Sequence, residues 1–323
     1  MMKRSEELLS KASRWMKTMK EEILYASVGG STARGETDEY SDIDLTLYMN
    51  DDAMYGSHTF IYEDEFIQVD MKPVADLPSI EAVLASPWDF RFLNELKILT
   101  DVDGRFEEIK GWAMKYYSSG KGRIQTFNQV ANIIEERKMY ALECLNQHQI
   151  LSGLMAAMGA WSEAALSYQF FAYNDLSNDS LIRNIKKLDD YFHRFQQVAP
   201  FSCHFKPFKV ASALTRFREY LRNQNDISDF ALSKIQDELF ERKAKRLIKS
   251  GEHLNLLWQA YSEGVWLYFE TSNGKEFEAY FDELPSTITE DLTTIGFVPL
   301  SEDSIKAICK LSEELLQLTV KKK

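Results

Sequence analysis

The residues of this chain best suited to chemistry lie in one short segment near the N-terminus. A turn made of Gly29, Gly30 and Ser31 is followed by the carboxylate pair Asp42 and Asp44. Glycines let backbone N–H groups approach a phosphate closely, and a neighbouring hydroxyl adds one more donor. Carboxylates supply the oxygen ligands that magnesium prefers. The segment therefore predicts a phosphate-binding loop joined to a metal site.

The glycine turn has a second interpretation. A tight turn from strand to helix, capped by the hydroxyl of Ser31, would use the same residues. If a helix begins there, its N-terminal dipole also favours an anion, and Arg34 lies one turn further on, where a guanidinium could reach the same phosphates. The carboxylate pair downstream favours the phosphate-binding interpretation.

A predicted strand from residue 43 to residue 49 must position the two aspartates. Its aliphatic residues alternate with Asp42, Asp44 and Thr46, so the aspartates share the face opposite the core. Their Cα atoms are then about 6.6 Å apart, a spacing that can serve ions about 3.5–4 Å apart. A solvated strand face is the alternative. A calcium loop is disfavoured because the glycine and terminal glutamate of such a loop are missing.

Asp70 is a third candidate ligand. Residues 60–62 and 66–72 alternate as the two strands of a hairpin, and Asp70 faces outward together with Gln68 and Lys72. If this strand pairs beside the strand of the aspartates, three carboxylates converge, and the cluster could also deprotonate a hydroxyl. Lys72 is either a phosphate or acceptor contact or an ordinary surface lysine.

The rest of the chain has a different organisation. At 323 residues with 45% hydrophobic residues, the chain can form two domains. A linker at residues 118–122 places the first domain at 1–120 and the second at 121–323. The strand patterns lie in the first and helical periodicity dominates the second, which predicts an α+β fold with a mixed sheet flanked by helices, then a helical bundle. Residues 265–269 could be helical, or pair as a hairpin with 277–281.

Charge and cysteine usage disfavour several classes of protein. The net charge of −12 argues against a nucleic-acid partner, because phosphate backbones are held mainly by Lys and Arg; a cationic small molecule suits it better. The three cysteines form no readable disulfide or zinc pattern. No apolar run approaches membrane-spanning length, so we predict no membrane partner and a cytoplasmic location. Monomer and homodimer are both compatible with these patterns.

The motif as a whole resembles that of the DNA polymerase beta-like nucleotidyltransferase superfamily, which has Gly-Ser, then Asp-x-Asp, then a third Asp on a later strand. Gly30-Ser31, Asp42-Ile43-Asp44 and Asp70 match this order. Within the superfamily, the run from Tyr40 to Asp44 resembles the kanamycin-type antibiotic nucleotidyltransferases, which act on aminoglycosides or lincosamides. The resemblance covers residues 20–110 and continues only as a loose correspondence of helices.

This resemblance implies transfer of a nucleoside monophosphate, with AMP as the first choice, to a hydroxyl. The donor would be ATP or another nucleoside triphosphate, with two Mg²⁺ ions, and pyrophosphate would leave. Gly30 and Ser31 would hold the terminal phosphates, and Asp42 and Asp44 would bind both metals. Asp70 would bind the catalytic metal and help to activate the acceptor.

The base and the acceptor are less tightly specified by the resemblance. Kanamycin-type enzymes lack the third acid on that strand and use a glutamate of the helical domain as base, whereas this chain keeps Asp70. The candidate glutamates lie on two predicted helices, with Glu136 placed first: Glu135, Glu136, Glu143 and Glu163. The implied acceptor is a small molecule, with an aminoglycoside-like antibiotic, and hence antibiotic resistance, as one candidate. A protein acceptor and a non-catalytic nucleotide-binding scaffold are the alternatives.

Overall fold

The computed structural model describes residues 3–50, 55–201, 206–224 and 230–320. The chain divides into two compact units, Met1–Gln129 and Val130–Lys323. The domain boundary expected after residue 120 falls where one helix ends and the next begins, while this division lies inside the second of these helices.

The first unit contains a five-stranded mixed sheet with the strand order β3-β4-β2-β1-β5. Strands β2 and β4 are parallel, and the other neighbouring pairs are antiparallel. This arrangement confirms the predicted mixed sheet. The strands are β1 Ile23–Val28, β2 Ile43–Met49, β3 Gly56–Tyr62, β4 Glu65–Pro73 and β5 Lys97–Asp101.

Helices flank this sheet. Between β4 and β5, a single turn of helix follows β4 directly and a short 3-10 segment precedes β5. The last helix begins in the first unit and continues into the second. The helices are α1 Arg4–Met16, α2 Gly30–Arg34, α3 Ile80–Ala85, α4 Arg105–Ser118 and α5 Gly120–Asn146.

The two faces of the sheet are covered differently. On one face the aliphatic side chains of β2 and β4 form a core with Leu8 and Ala12 of α1. On the other face Tyr25 and Tyr48 pack edge-on against Phe106 of α4, with ring centroids 6.3 and 5.8 Å apart. A buried aliphatic side chain contributes about 1.5–3 kcal/mol, so the alternation along β2 holds its polar residues on the second face.

The hairpin of β3 and β4 is fixed by its turn and by ion pairs at the start of β4. Glu63 and Asp64 form its turn with φ values of 48° and 63°, the left-handed conformation that a two-residue hairpin requires. Glu65 is buried and accepts hydrogen bonds from Arg4 at 2.6 Å and from Lys11 at 2.7 Å. This network ties α1 to the start of β4 and thereby supports the register of the strand that carries Asp70.

The second unit is helical in all its described elements, which confirms the predicted helical bundle. No helix among the residues described is both long and apolar enough to cross a bilayer. After the shared α5, its α-helices are α6 Ile150–Tyr173, α7 Asn178–Lys186, α8 Asp189–Val198, α9 Pro207–Gln224, α10 Lys234–Lys249, α11 His253–Thr271, α12 Phe277–Asp282, α13 Ser286–Thr294 and α14 Glu302–Val320.

The hairpin considered for residues 265–269 and 277–281 is wrong, because both segments are helical. Asn273 and Gly274 do form a turn, with φ values of 50° and 77°, but it joins two helices. The physical reason is burial: Tyr268 of α11 packs edge-on against Phe277 of α12, with ring centroids 4.7 Å apart, and both side chains are buried between the two helices.

Candidate active site

The Gly-Gly-Ser turn connects β1 to α2. Gly29 is extended and stands before the first residue of the helix, and no side chain caps the helix there, so the alternative of a turn capped by Ser31 is not what forms. The N–H of Gly29 donates to the carbonyl of Asp44 at 2.8 Å, which fixes the turn beside β2. The first N–H groups of a helix have no acceptor inside it, so an anion could accept from them.

Gly30 makes the closest approach between this turn and the carboxylate pair. Its φ is 59°, and a Cβ atom placed on it would lie 2.0 Å from Oδ2 of Asp44 and 3.2 Å from Cγ. Because any side chain would displace the carboxylate, only glycine fits here without distortion. The turn and the metal-binding candidate are therefore in direct contact.

Asp42 is 8% exposed and is held from two sides. Its Oδ2 accepts a hydrogen bond from Nε2 of Gln68 at 2.6 Å. Its backbone carbonyl accepts from the hydroxyl of the buried Thr32 in α2 at 3.0 Å. The start of β2 is thus anchored both to the helix after the glycine turn and to β4.

The parallel register of β2 and β4 decides where Asp70 lies. The two strands pair, and Asp70 shares a face with the aspartates, but it stands opposite Thr46, while Gln68 stands opposite Asp44. Asp44 and Asp70 then have Cα atoms about 8 Å apart, from the spacing along and between strands. Asp70 accepts from Ser57 at 3.2 Å.

Lys72 lies next on the same face and pairs with Asp70 at 2.9 Å, with both side chains about 40% exposed. Within the described residues, no group of three or more His, Cys, Asp and Glu side chains is arranged to hold a metal ion. The convergence of three carboxylates therefore stays a prediction.

Arg34 is held by carboxylates of its own unit. Its guanidinium pairs with Glu36 at 2.8 Å and with Glu95 at 3.1 Å. Burial alone would lower the pKa of Arg34, but the hydrogen bonds and charges of these glutamates raise it, so the side chain stays charged. Its contact with phosphate stays a prediction.

The carboxylates present suit a magnesium ion. Asp42 and Asp44 offer hard oxygen ligands two residues apart on one strand face, and the missing side chain of Gly30 leaves room for the carboxylate of Asp44. A cation shared between Asp44 and Asp70 stays a prediction. The donor set therefore fits the cation that the motif implies.

The predicted base Glu136 belongs to the second unit. It is exposed on α5 and lines an open depression of about 570 Å³ together with Glu135, Glu143, Met139 and Tyr140. Two other candidates are engaged in ion pairs: Glu135 with Lys138 at 2.7 Å and Glu163 with Arg137 at 3.0 Å. The role of Glu136 stays a prediction.

Three residues near the site were not assigned a role from the sequence: Thr32, Gln68 and Glu95. Gln68 was placed on the correct face by the alternation of its strand. Its bond to Asp42 spans 26 residues, and the Arg34–Glu95 pair spans 61, so no local pattern indicates either contact.

A family model matches the segment that carries the motif. No curated protein matches this chain. A solved structure called a nucleotidyltransferase-like protein, from Exiguobacterium sibiricum, aligns over 90% of this chain and 88% of its own, with 10% identity and a TM-score of 0.33. Residues 9–109 match the family model of the nucleotidyltransferase domain. The first unit therefore carries a nucleotidyltransferase domain, and this match supports classing the chain as a nucleotidyltransferase enzyme.

Proposed function

We propose that this chain is a magnesium-dependent nucleotidyltransferase that moves a nucleoside monophosphate, AMP in the first instance, from a nucleoside triphosphate to a hydroxyl of a small molecule. The observation that carries the proposal is the contact between Gly30 and the carboxylate of Asp44. It brings the phosphate-binding turn and the carboxylate pair together, and a metal-bound triphosphate needs both within one binding site.

Each part of the site has a binding task in this proposal. The backbone N–H groups at Gly30 and Ser31, with the hydroxyl of Ser31, donate to the terminal phosphates, while Gly29 fixes the turn beside β2 through its own hydrogen bond to the carbonyl of Asp44. Asp42 and Asp44 hold two divalent cations, which supply charge compensation for the triphosphate when they are bound. Arg34 and Lys72 contribute positive charge close to this region.

The transfer step follows the usual balance of phosphoryl chemistry. The oxygen of the acceptor hydroxyl forms a bond to the α-phosphorus, and the bond from that phosphorus to the oxygen bridging to the β-phosphate breaks. Pyrophosphate leaves with the electron pair of the broken bond, and the hydroxyl proton passes to a carboxylate. Asp70 shares the site face with the pair and is the first candidate for this base, with Glu136 as the second.

An aminoglycoside-like antibiotic is the acceptor that we propose to test first. The chain carries a net charge of −12, which favours a polycationic acceptor over an anionic one. Within the second unit, the depression on α5 carries three carboxylates beside a methionine and a tyrosine, a surface that suits a cationic molecule with apolar edges. We place the reaction in the cytoplasm, with neither a nucleic acid nor a membrane as a partner.

The test uses the full chain with magnesium and each of the four nucleoside triphosphates in turn. A panel of aminoglycosides and lincosamides is offered, and mass spectrometry follows the gain of one nucleoside monophosphate by the acceptor. Asp42→Asn is the matched control and should form no adduct. The absence of an adduct with every antibiotic would refute the antibiotic acceptor. A nucleoside monophosphate adduct on a protein would favour a protein side chain as the acceptor.

A further inference from the structure

We propose that Gln68 is a positioning residue that orients the carboxylate of Asp42 for the metal-bound nucleotide. Gln68 is a neutral hydrogen-bond donor of β4, and it acts through Asp42 without contacting the substrate. The inference rests on the proposed function, because it concerns the metal site at Asp42 and Asp44.

The first support is the hydrogen bond itself. Nε2 of Gln68 lies 2.6 Å from Oδ2 of Asp42, and Asp42 is 8% exposed. A bond from a neutral donor to a carboxylate is roughly twice as strong as one between neutral groups. In so buried a place little water can replace it, so the amide fixes the rotation of the carboxylate. Among the described residues none donates to Oδ1, which leaves that atom for a cation.

The second support is the register of the sheet. Gln68 stands directly opposite Asp44 in the parallel pair of β2 and β4, whereas Asp70 stands opposite Thr46. Paired strands lie about 4.8 Å apart, while the Cα atoms of Asp44 and Asp70 are about 8 Å apart. Of the polar residues of β4 on this face, Gln68 is the one beside the aspartate pair.

The chemistry of an amide suits this position. A carboxylate in place of the amide would repel the carboxylate of Asp42. Asp42 would then have no side-chain donor to hold it before a cation binds. An amide adds no charge and donates, so the carboxylate of Asp42 stays ordered in the absence of a cation. Partners that hydrogen-bond to metal ligands typically control metal affinity or activity by about 10- to 100-fold.

The experiment measures binding of Mn²⁺ alone to the full chain by electron paramagnetic resonance, without nucleotide. Gln68→Met keeps the length of the side chain and removes the donor, and we expect it to bind Mn²⁺ about 10- to 100-fold more weakly than wild type. Gln125→Met is the matched control: Gln125 accepts a hydrogen bond from Tyr116 at 2.8 Å on α5, outside the site. Its Mn²⁺ affinity should equal that of wild type.

A double-mutant cycle separates positioning from a simple structural role. If Gln68 acts through Asp42, Gln68→Met weakens Mn²⁺ binding in wild type but adds little to Asp42→Asn, which keeps Asp44 as a ligand. Equal losses in both backgrounds would overturn the proposal. So would wild-type affinity in a Gln68→Met protein, whether or not its thermal unfolding by circular dichroism were changed.

The failure of this inference is distinguishable from failure of the proposed function. If Asp42→Asn loses affinity while Gln68→Met does not, the metal site stands and the role of Gln68 falls. If Asp42→Asn binds Mn²⁺ as wild type does, the metal site itself is refuted and the inference falls with it.

Discussion

Gly30→Ala tests the central contact of the site, because the added methyl group would occupy the space of the Asp44 carboxylate. The new Cβ would meet Oδ2 at 2.0 Å, whereas ordinary contact begins at 3.4 Å, so the oxygen must move by about 1.4 Å. The φ of 59° adds a backbone cost, since alanine disfavours the left-handed region. Both effects act at one residue, but they change different quantities.

The expected magnitudes follow from these two effects. The left-handed backbone costs about 1–2 kcal/mol of unfolding free energy. A catalytic group misplaced by about 1 Å can cost about 100-fold in rate, equivalent to about 2.7 kcal/mol of transition-state stabilisation. We therefore expect kcat/KM of Gly30→Ala to fall by about 100-fold or more in a protein that remains folded.

Gly104→Ala is the control that isolates the backbone cost. Gly104 has a φ of 82°, and a Cβ atom placed there meets nothing within 4 Å. It should lose a similar unfolding free energy in urea titrations and keep wild-type transfer rates. Wild-type kcat/KM in Gly30→Ala would refute the placement of Asp44 in the site, and so would an equal loss of kcat/KM in both variants.

Three further predictions concern the supports of the site and its base. Burial alone would raise the pKa of Glu65, but hydrogen bonds from Arg4 and Lys11 of α1 lower it below 4.5. Wild type should therefore be more stable than Glu65→Gln at pH 6. Urea titrations should show this difference in unfolding free energy shrinking as the pH falls below 4.5. Thr32→Val should cost about 1 kcal/mol of unfolding free energy, because the buried carbonyl of Asp42 loses its donor, and Thr32→Ser should recover most of it. Asp70→Asn should lower kcat by about 10²- to 10⁴-fold in steady-state assays while nucleotide affinity is retained. If kcat of Asp70→Asn is unchanged and Glu136→Gln shows that loss instead, the base is Glu136 of α5.

The sheet could be predicted from sequence because its core strands alternate strictly. Ile43, Leu45 and Leu47 must face one way to be buried, so Asp42 and Asp44 must face the other. The helical bundle could equally be predicted from the helical spacing of its apolar residues. Residues 265–281 were ambiguous because a short apolar run with an Asn-Gly turn suits both a hairpin and two helices, and only packing decides between them.

The candidate site was readable only where its residues are close together in the chain. The glycine turn and Asp42-x-Asp44 lie in one segment, so spacing alone indicates their chemistry. The neighbour of Asp44 on β4 depends on a parallel register, and a shift of two residues would have placed Asp70 there and moved Gln68 away. The hairpin turn sets only the pairing of β3 with β4, whereas the parallel pairing of β2 with β4 joins segments far apart in the chain, so no local pattern encodes it.

The two carboxylates of the pair are supported by different parts of the first unit. Asp44 is placed by the glycine turn, through the contact with Gly30, whereas Asp42 is placed by β4 through the amide of Gln68. One support is steric and the other is a hydrogen bond, and they share no atom. Because both carboxylates serve the same cations, the losses of Mn²⁺ affinity from Gly30→Ala and Gln68→Met should add in part in the double variant, whereas Gln68→Met should add little to Asp42→Asn. This contrast separates two different supports of one metal site from a general loosening of the domain.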